Sequence, residues 1–188
     1  MSARAAASIA SGGQVRTEIV DDAAGFQELE PLWRRLERES TARSPCQRWD
    51  WARLWWRHYA GRGDRPWIVL VRLDDEIVGL GPLYVRDAGR RWGRRLRFIA
   101  TGEPEESEVA SEFLDVLAAP AHRALAGRAV AAAIARSDQW REMELRNVLE
   151  SSTIATHRDA AGPQVGQRSR GLRYTVRLDE SWDAYLSR

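Results

Sequence analysis

The sequence predicts an α/β fold whose central sheet is largely antiparallel. Two observations predict it: runs of β-branched and aromatic residues that a two-residue link divides into a hairpin, and apolar residues that repeat at helical spacing on either side of those runs. With 188 residues, the chain is long enough for one good core and too short for two full-sized domains. We therefore expect one domain.

The first elements are a strand and a helix. Residues 15–20 have strand composition, and the apolar residues that follow recur at helical spacing as Phe26, Leu29, Trp33 and Leu36. Pro31 is comfortable only in the first turn of a helix. Either the regular helix begins near Glu30 after a preliminary turn, or it is kinked there.

A tryptophan-rich helix comes next. Ser44, Pro45 and Gln47 match a capping box with proline at the first helical position, although the main helix could begin only at Asp50. Aromatics at helical spacing favour core packing, and the alternative is the wall of a ligand cleft. One predicted buried stripe contains Trp51, Leu54, Trp55 and His58, and it is widened by Trp56 and Tyr59.

Three strands are predicted after this helix, at 67–73, 76–86 and 94–100. The link Asp74-Asp75 makes the first two an antiparallel hairpin. The middle strand contains Gly79, Gly81 and Pro82, and glycine inside a strand usually marks a bulge or a close backbone approach. We expect an irregularity at that point.

Two charged segments allow more than one interpretation. An arginine cluster surrounds Trp92, and a solvated hairpin tip explains it better than a nucleic-acid site because the net charge is only +2. Residues 102–115 contain six carboxylates in fourteen residues. They could bind a divalent metal or an amine, but such a run is usually a solvated loop. The arginines of the cluster are Arg86, Arg90, Arg91, Arg94, Arg95 and Arg97.

The rest of the chain predicts shorter elements. A short strand at 115–117 precedes a helix at 121–137, whose buried side carries Leu125, Val130, Ala133 and Ile134. A strand at 142–146, a weak helix at 151–160, a polar loop at 162–171 and a strand at 172–178 follow. A last helix opens near Glu180 with Ser181 as its cap, and the chain ends after two turns of it.

Composition excludes several classes of protein. No apolar run reaches the roughly 20 residues that span a bilayer, and residues 1–13 lack the apolar core of a secretory signal. We expect a disordered tail at 1–13 and a cytoplasmic protein. The single cysteine, Cys46, offers no disulfide and no metal-ligand spacing, and no metal is expected.

The order strand, helix, helix, three antiparallel strands, helix, strand, helix, strand resembles that of the GNAT acyltransferase superfamily. The chain is most similar to the CelD/BcsL group, which is named for cellulose biosynthesis and is related to the FemAB transferases. The similarity covers nearly everything from Val15 onward, and Cys46 and Trp49 depart from the usual pattern. It is carried by the order and spacing of Phe26, Leu29 and 33–36, Ser44-Pro45, Gln47, Trp51, Trp55-Trp56, Val78-Gly79, 82–84, 96–98, 111–115, 174–178 and Ser181-Trp182.

This resemblance implies a GNAT-like mixed sheet with helices on both faces, and transfer of an acyl group from acetyl-CoA or another acyl-CoA to an amine or hydroxyl, in polysaccharide or cell-envelope metabolism. Such chemistry needs a carboxylate base and an acid for the leaving thiolate. Glu112 or Asp115 is the expected base and Tyr84 the expected acid. The residues expected to contact the acceptor are Trp55, Trp56, Ser111 and Phe113.

Members of this family are about twice as long, with the acyltransferase signature in a second half. Residues 14–178 would then form the GNAT-like N-terminal domain, and 179–188 the start of a truncated helix or a linker. The nearest candidate for a pyrophosphate cradle begins at Arg123, but it has one residue too many and lies inside a predicted helix. The alternative function is a noncatalytic substrate-recognition or interaction module of a split or truncated transferase. It would associate with a second half or with itself through an apolar face that includes Trp182 and Tyr185.

Overall fold

The computed structural model describes residues 13–40, 44–87, 89, 93–157 and 181–183, and within them one mixed sheet of six strands organises the chain. The path of the sheet is β1-β2-β3-β4-β6, and β5 pairs with β3 beside this path. All pairs are antiparallel except β4 with β6, which is parallel. The strands are β1 (Val15–Val20), β2 (Arg65–Leu73), β3 (Glu76–Asp87), β4 (Arg94–Phe98), β5 (Leu117–Ala118) and β6 (Glu142–Met143).

Helices cover both faces of this sheet. One face packs against three helices, α1 (Ala23–Glu28), α2 (Glu30–Glu39) and α3 (Trp49–Tyr59), and the other against α4 (Arg123–Arg136) and the short α5 (Thr153–Thr156). Successive residues of a strand point to opposite faces. In β2, Ile68 and Leu70 therefore join the core under α1–α3, whereas Trp67, Val69 and Val71 join the core under α4. The predicted α/β class and the antiparallel trio of strands are confirmed.

The predicted hairpin joins β2 to β3 through Asp74 and Asp75. Asp74 has a positive φ of 54° and its Oδ1 accepts from the backbone N–H of Gln14, at 2.8 Å, so the turn is also tied to the chain entering β1. The expected irregularity in β3 is a shift of register between Val71 and Arg72, which pair with Gly79 and Ile77. The extra residue on β3 is Val78.

The helix that contains Pro31 begins at Glu30 after a preliminary turn and is not kinked, which was the first of the two predicted alternatives. α1 ends at Glu28, Leu29 breaks the helix, and α2 begins at Glu30 with Pro31 in its first turn. The capping box differs from the expectation, since Ser44 accepts from the N–H of Cys46 and caps a single 3-10 turn, Pro45–Gln47, while α3 starts separately at Trp49.

The predicted buried stripe of α3 is partly wrong. Leu54 is 44% exposed and His58 is exposed. The buried residues of α3 are instead Trp49, Ala52 and Trp55. The face is rotated because Trp49 packs between Phe26 and Trp33, with ring centroids 5.0 and 5.5 Å away, and this turns Leu54 outward.

Shorter elements than predicted follow β4. The strand expected at 115–117 shares only Leu117 with β5. Among the described residues, the strand expected at 142–146 is regular only at β6, and the weak helix expected at 151–160 only at α5. The loop at 162–171, the strand at 172–178, residues 1–12 and Tyr185 lie outside the described residues. Trp182 is described and is 61% exposed.

None of the helices in the described part of the chain combines the length and apolar character that crossing a bilayer requires.

Candidate functional site

A cleft of about 430 Å³ opens where the segment after α2 meets the 113–118 segment and residues 149–152. We call it the Asp115 cleft. Two of the predicted site residues, Phe113 and Asp115, line it, whereas Tyr84, Trp55 and Trp56 do not. Its lining includes Gln47, Phe113, Asp115, Arg123 and Leu149.

Asp115 is buried, and its carboxylate accepts four hydrogen bonds. Oδ1 accepts from the backbone N–H groups of Val116, at 2.8 Å, and Ile154, at 3.0 Å. Oδ2 accepts from the N–H of Thr153, at 2.7 Å, and from Nη2 of Arg123, at 3.3 Å. The carboxylate thus satisfies the orphan N–H groups at the start of α5 and joins that helix to β5.

Gln47 and Arg123 stand on either side of this aspartate. Nε2 of Gln47 donates to the backbone carbonyl of Asp115, at 3.1 Å. Arg123 also donates from Nε to Thr153 Oγ1, at 2.6 Å, and from Nη2 to the carbonyl of Ser151, at 3.0 Å. Both long side chains are therefore held in fixed positions at the cleft wall.

The 111–113 segment is fixed by bonds on both sides. Ser111 is 1% exposed, its Oγ accepts from Trp51 Nε1 at 2.9 Å, and its carbonyl accepts from Asn147 Nδ2 at 2.7 Å. The carbonyl of Glu112 accepts from Ser44 Oγ at 2.5 Å, while the glutamate residue itself is exposed. Phe113 has a positive φ of 59°, and its N–H donates to the carbonyl of Asn147 at 2.9 Å. Of residues 111–115, Phe113, Leu114 and Asp115 line the cleft, and Ser111 and Glu112 do not.

Tyr84 lies in the core under α1–α3 with the two predicted tryptophans. Its ring is 5.4 Å from that of Trp55 and 5.7 Å from that of Trp56, and Trp55 Nε1 donates to Glu103 Oε2 at 2.8 Å. The Tyr84 hydroxyl is fully buried and donates to the carbonyl of Thr101 at 2.7 Å. Burial raises the pKa of this phenol well above its usual range. The structure does not bring Tyr84 to the cleft that Asp115 lines.

Three arginines of the cluster predicted around Trp92 form ion pairs in the structure. Arg86 bonds Asp64 at 2.8 Å, Arg95 bonds Glu142 at 2.8 Å, and Arg97 bonds Glu144. Arg90, Arg91 and Trp92 lie outside the described residues. Among the residues that are described, no group of three or more histidine, cysteine or acidic side chains could hold a metal ion.

The segment that begins at Arg123 opens α4, as its helical spacing predicted. Its glycine, Gly127, is in the second turn, where a Cβ would come within 2.4 Å of Thr153 Cγ2. This glycine allows close packing of α4 on α5.

Sequence reasoning missed Gln47 and Arg123 as partners in one site. The sequence places Gln47 in a capping pattern and in the family resemblance, and Arg123 at the start of an imperfect pyrophosphate-cradle motif. Neither position carries a local signal, because Gln47 is 68 positions from Asp115 along the chain and meets it only after folding.

By its architecture, the chain is an α/β protein with a six-strand, mostly antiparallel sheet over the described residues. Comparison with protein-family models, with curated proteins and with solved structures finds no match to this chain.

Proposed function

We propose that this chain is the N-terminal GNAT-like half of a CelD/BcsL-type acyltransferase of the cytoplasm, and that it serves that enzyme as a noncatalytic recognition and interaction module. In such an enzyme, an acyl group passes from acyl-CoA to an amine or hydroxyl acceptor. The order of elements supports the family, and the contacts of the candidate catalytic groups support the noncatalytic role.

The observation that carries this role is the bonding of Asp115. A general base needs an oxygen lone pair directed at the proton that it removes. A carboxylate offers roughly four lone-pair sites, and Asp115 uses four of them on Val116, Ile154, Thr153 and Arg123. Taking a substrate proton would require breaking the start of α5.

Tyr84 supports the same conclusion. An acid that protonates the leaving thiolate must reach it and must release its proton readily. The Tyr84 hydroxyl is buried against Thr101, and burial raises the pKa of the phenol, which makes it a weaker acid. Tyr84 therefore fits a structural role.

The start of α4 is also used for packing. In the GNAT superfamily, backbone amides at the start of the helix after the third hairpin strand hold the coenzyme A pyrophosphate. In this chain the side chain of Arg123 folds from that position onto Ser151 and Thr153, and Gly127 packs on α5. This arrangement favours a module that leaves coenzyme A binding to another half.

Calorimetric titration of the purified, folded chain with acetyl-CoA tests the proposal. We expect no binding by this chain alone, and binding once a second GNAT-like half is supplied. Micromolar affinity of the chain alone, together with acetyl transfer to an amine, would refute the noncatalytic role. The variant Glu112→Gln is the control in that case, since loss of transfer in it would identify the exposed Glu112 as the base.

A further inference from the structure

We propose that the Asp115 cleft binds a small, electrically neutral ligand through a primary amide group, with an apolar body attached to that amide. The proposal depends on the cleft alone and holds whether or not the chain belongs to an acyltransferase.

Gln47 supplies the hydrogen-bond acceptor. It is only 4% exposed and it lines the cleft. Its Nε2 is held by the carbonyl of Asp115, and no described residue donates to its Oε1. Oε1 is not fully buried, and it is open to the cleft that Gln47 lines. A ligand N–H that bonds Oε1 would satisfy a nearly buried polar group.

Arg123 supplies the donor. Its Nε and Nη2 are held by Thr153, Asp115 and Ser151. No described residue accepts from Nη1, and the side chain is 41% exposed at the cleft. The guanidinium is therefore fixed by one edge and offers the N–H groups of Nη1 to a ligand carbonyl.

Gln47 and Arg123 both bond Asp115, one through its backbone carbonyl and one through its carboxylate, and both line the cleft beside it. An acceptor and a donor on one wall complement a primary amide, whose C=O and one N–H point to the same side, whereas the C=O and N–H of a trans secondary amide point to opposite sides. Since the Asp115 carboxylate already pairs with the Arg123 guanidinium, the cleft carries little net charge and favours a neutral ligand over an anion.

Apolar side chains supply the rest of the cleft wall. Phe113, Leu114, Val116 and Leu149 line it, and a volume of about 430 Å³ is in the range of small-molecule sites. An apolar group attached to the amide would cover these side chains.

Three matched probes test this assignment: 2-phenylacetamide, methyl phenylacetate, which keeps the carbonyl and lacks the N–H, and phenylacetate, which is an anion. Heteronuclear NMR titration of the full chain gives each affinity and locates the binding. We expect 2-phenylacetamide to shift the resonances of residues 113–118 and to bind about twofold to tenfold more tightly than the ester. Equal affinity for amide and ester, or tighter binding of phenylacetate, would overturn the proposal.

Two variants keep the test specific. Gln47→Met should lower the affinity for 2-phenylacetamide to that of methyl phenylacetate and leave the ester unchanged, which a merely structural effect would not do. Leu149→Trp should block the cleft and abolish binding. Leu54→Trp is its matched control, because Leu54 is also 44% exposed and lies on α3 away from the cleft. Binding that survives Leu149→Trp places the ligand elsewhere and contradicts the proposal.

Discussion

Gly79 of β3 lies so close to Ala126 of α4 that a Cβ at position 79 would be 2.6 Å from the Ala126 Cβ. Gly81 faces the same helix, where a Cβ would be 3.1 Å from both methyl groups of Val130. With no side chains at positions 79 and 81, this surface of β3 is flat, and α4 packs directly on the strand backbone. The bulge at Val78 immediately precedes this flat surface.

Gly79→Ala should therefore destabilise the fold. The added methyl must displace α4, and overpacking of this kind costs about 1–3 kcal/mol in the free energy of unfolding. Urea unfolding followed by circular dichroism measures it. Gly61→Ala is the control, because its nearest neighbour would be Asp64 Oδ2 at an ordinary 3.6 Å, and we expect a change of less than about 1 kcal/mol. Equal effects of the two substitutions would contradict this packing.

Asp115→Asn should be far more damaging than Glu112→Gln, although the sequence presents both as candidate bases. Either orientation of the asparagine amide directs an NH₂ group at two donors that Asp115 now satisfies. We expect a loss of about 2–4 kcal/mol in unfolding free energy. Glu112 is exposed, so its neutral variant should change stability by less than about 0.5 kcal/mol.

Hydrogen exchange tests whether the lost stability of Asp115→Asn comes from the start of α5. Hydrogen exchange should show that Asp115→Asn loses protection first at Thr153 and Ile154, whose N–H groups the carboxylate accepts. Unchanged protection at these two amides would show that the carboxylate does not hold the start of α5.

Trp33 and Trp49 are a natural pair for separating a hydrogen bond from packing. Both are at most 1% exposed in the same core, yet Trp33 Nε1 donates to the carbonyl of Gln47 at 2.9 Å, while Trp49 Nε1 has no hydrogen-bond partner among the described residues. Trp33→Phe should thus cost about 1 kcal/mol more than Trp49→Phe in unfolding free energy. Equal costs would mean that the bond to Gln47 adds nothing to stability.

The hairpin could be predicted because its signals are local. Asp74-Asp75 between two β-rich runs determines a turn, and Gly79 with Gly81 marks an irregular strand whichever helix covers it. The buried face of α3 was harder to predict, since the outward turn of Leu54 depends on how Trp49 fits between Phe26 and Trp33. That fit depends on packing between separate helices, which the periodicity of apolar residues within one helix does not show.

The contacts of the candidate site residues could not be predicted from the sequence for the same reason. Phe113 and Asp115 line the Asp115 cleft, and their roles in contacting an acceptor and removing its proton stay predictions. The four donors to Asp115 come from its own neighbour, from α4 and from α5, and three of these four contacts form through the tertiary fold. A list of carboxylates and tyrosines does not show which of them the fold will use as structural acceptors.

Ionisation of Tyr84 should make the free energy of unfolding fall at alkaline pH. Because burial raises its pKa, the folded protein keeps the phenol proton at a pH where the unfolded chain, with a tyrosine pKa of about 10, has lost it. Folding free energy should then be independent of Tyr84 ionisation below about pH 10 and should fall above it, by about 1.4 kcal/mol per pH unit. The chain contains no lysine, so few other groups titrate in this window.

Comparison with Tyr84→Phe isolates this contribution, since every other titrating group is shared. At neutral pH the variant should be less stable by about 1 kcal/mol, because the carbonyl of Thr101 loses its donor. Above about pH 10 the native protein loses stability and the variant does not, so the difference between their urea midpoints should close and then reverse. A difference that stays constant from neutral to alkaline pH would show that the Tyr84 phenol ionises as readily in the folded protein as in the unfolded chain, and would restore it as a candidate acid.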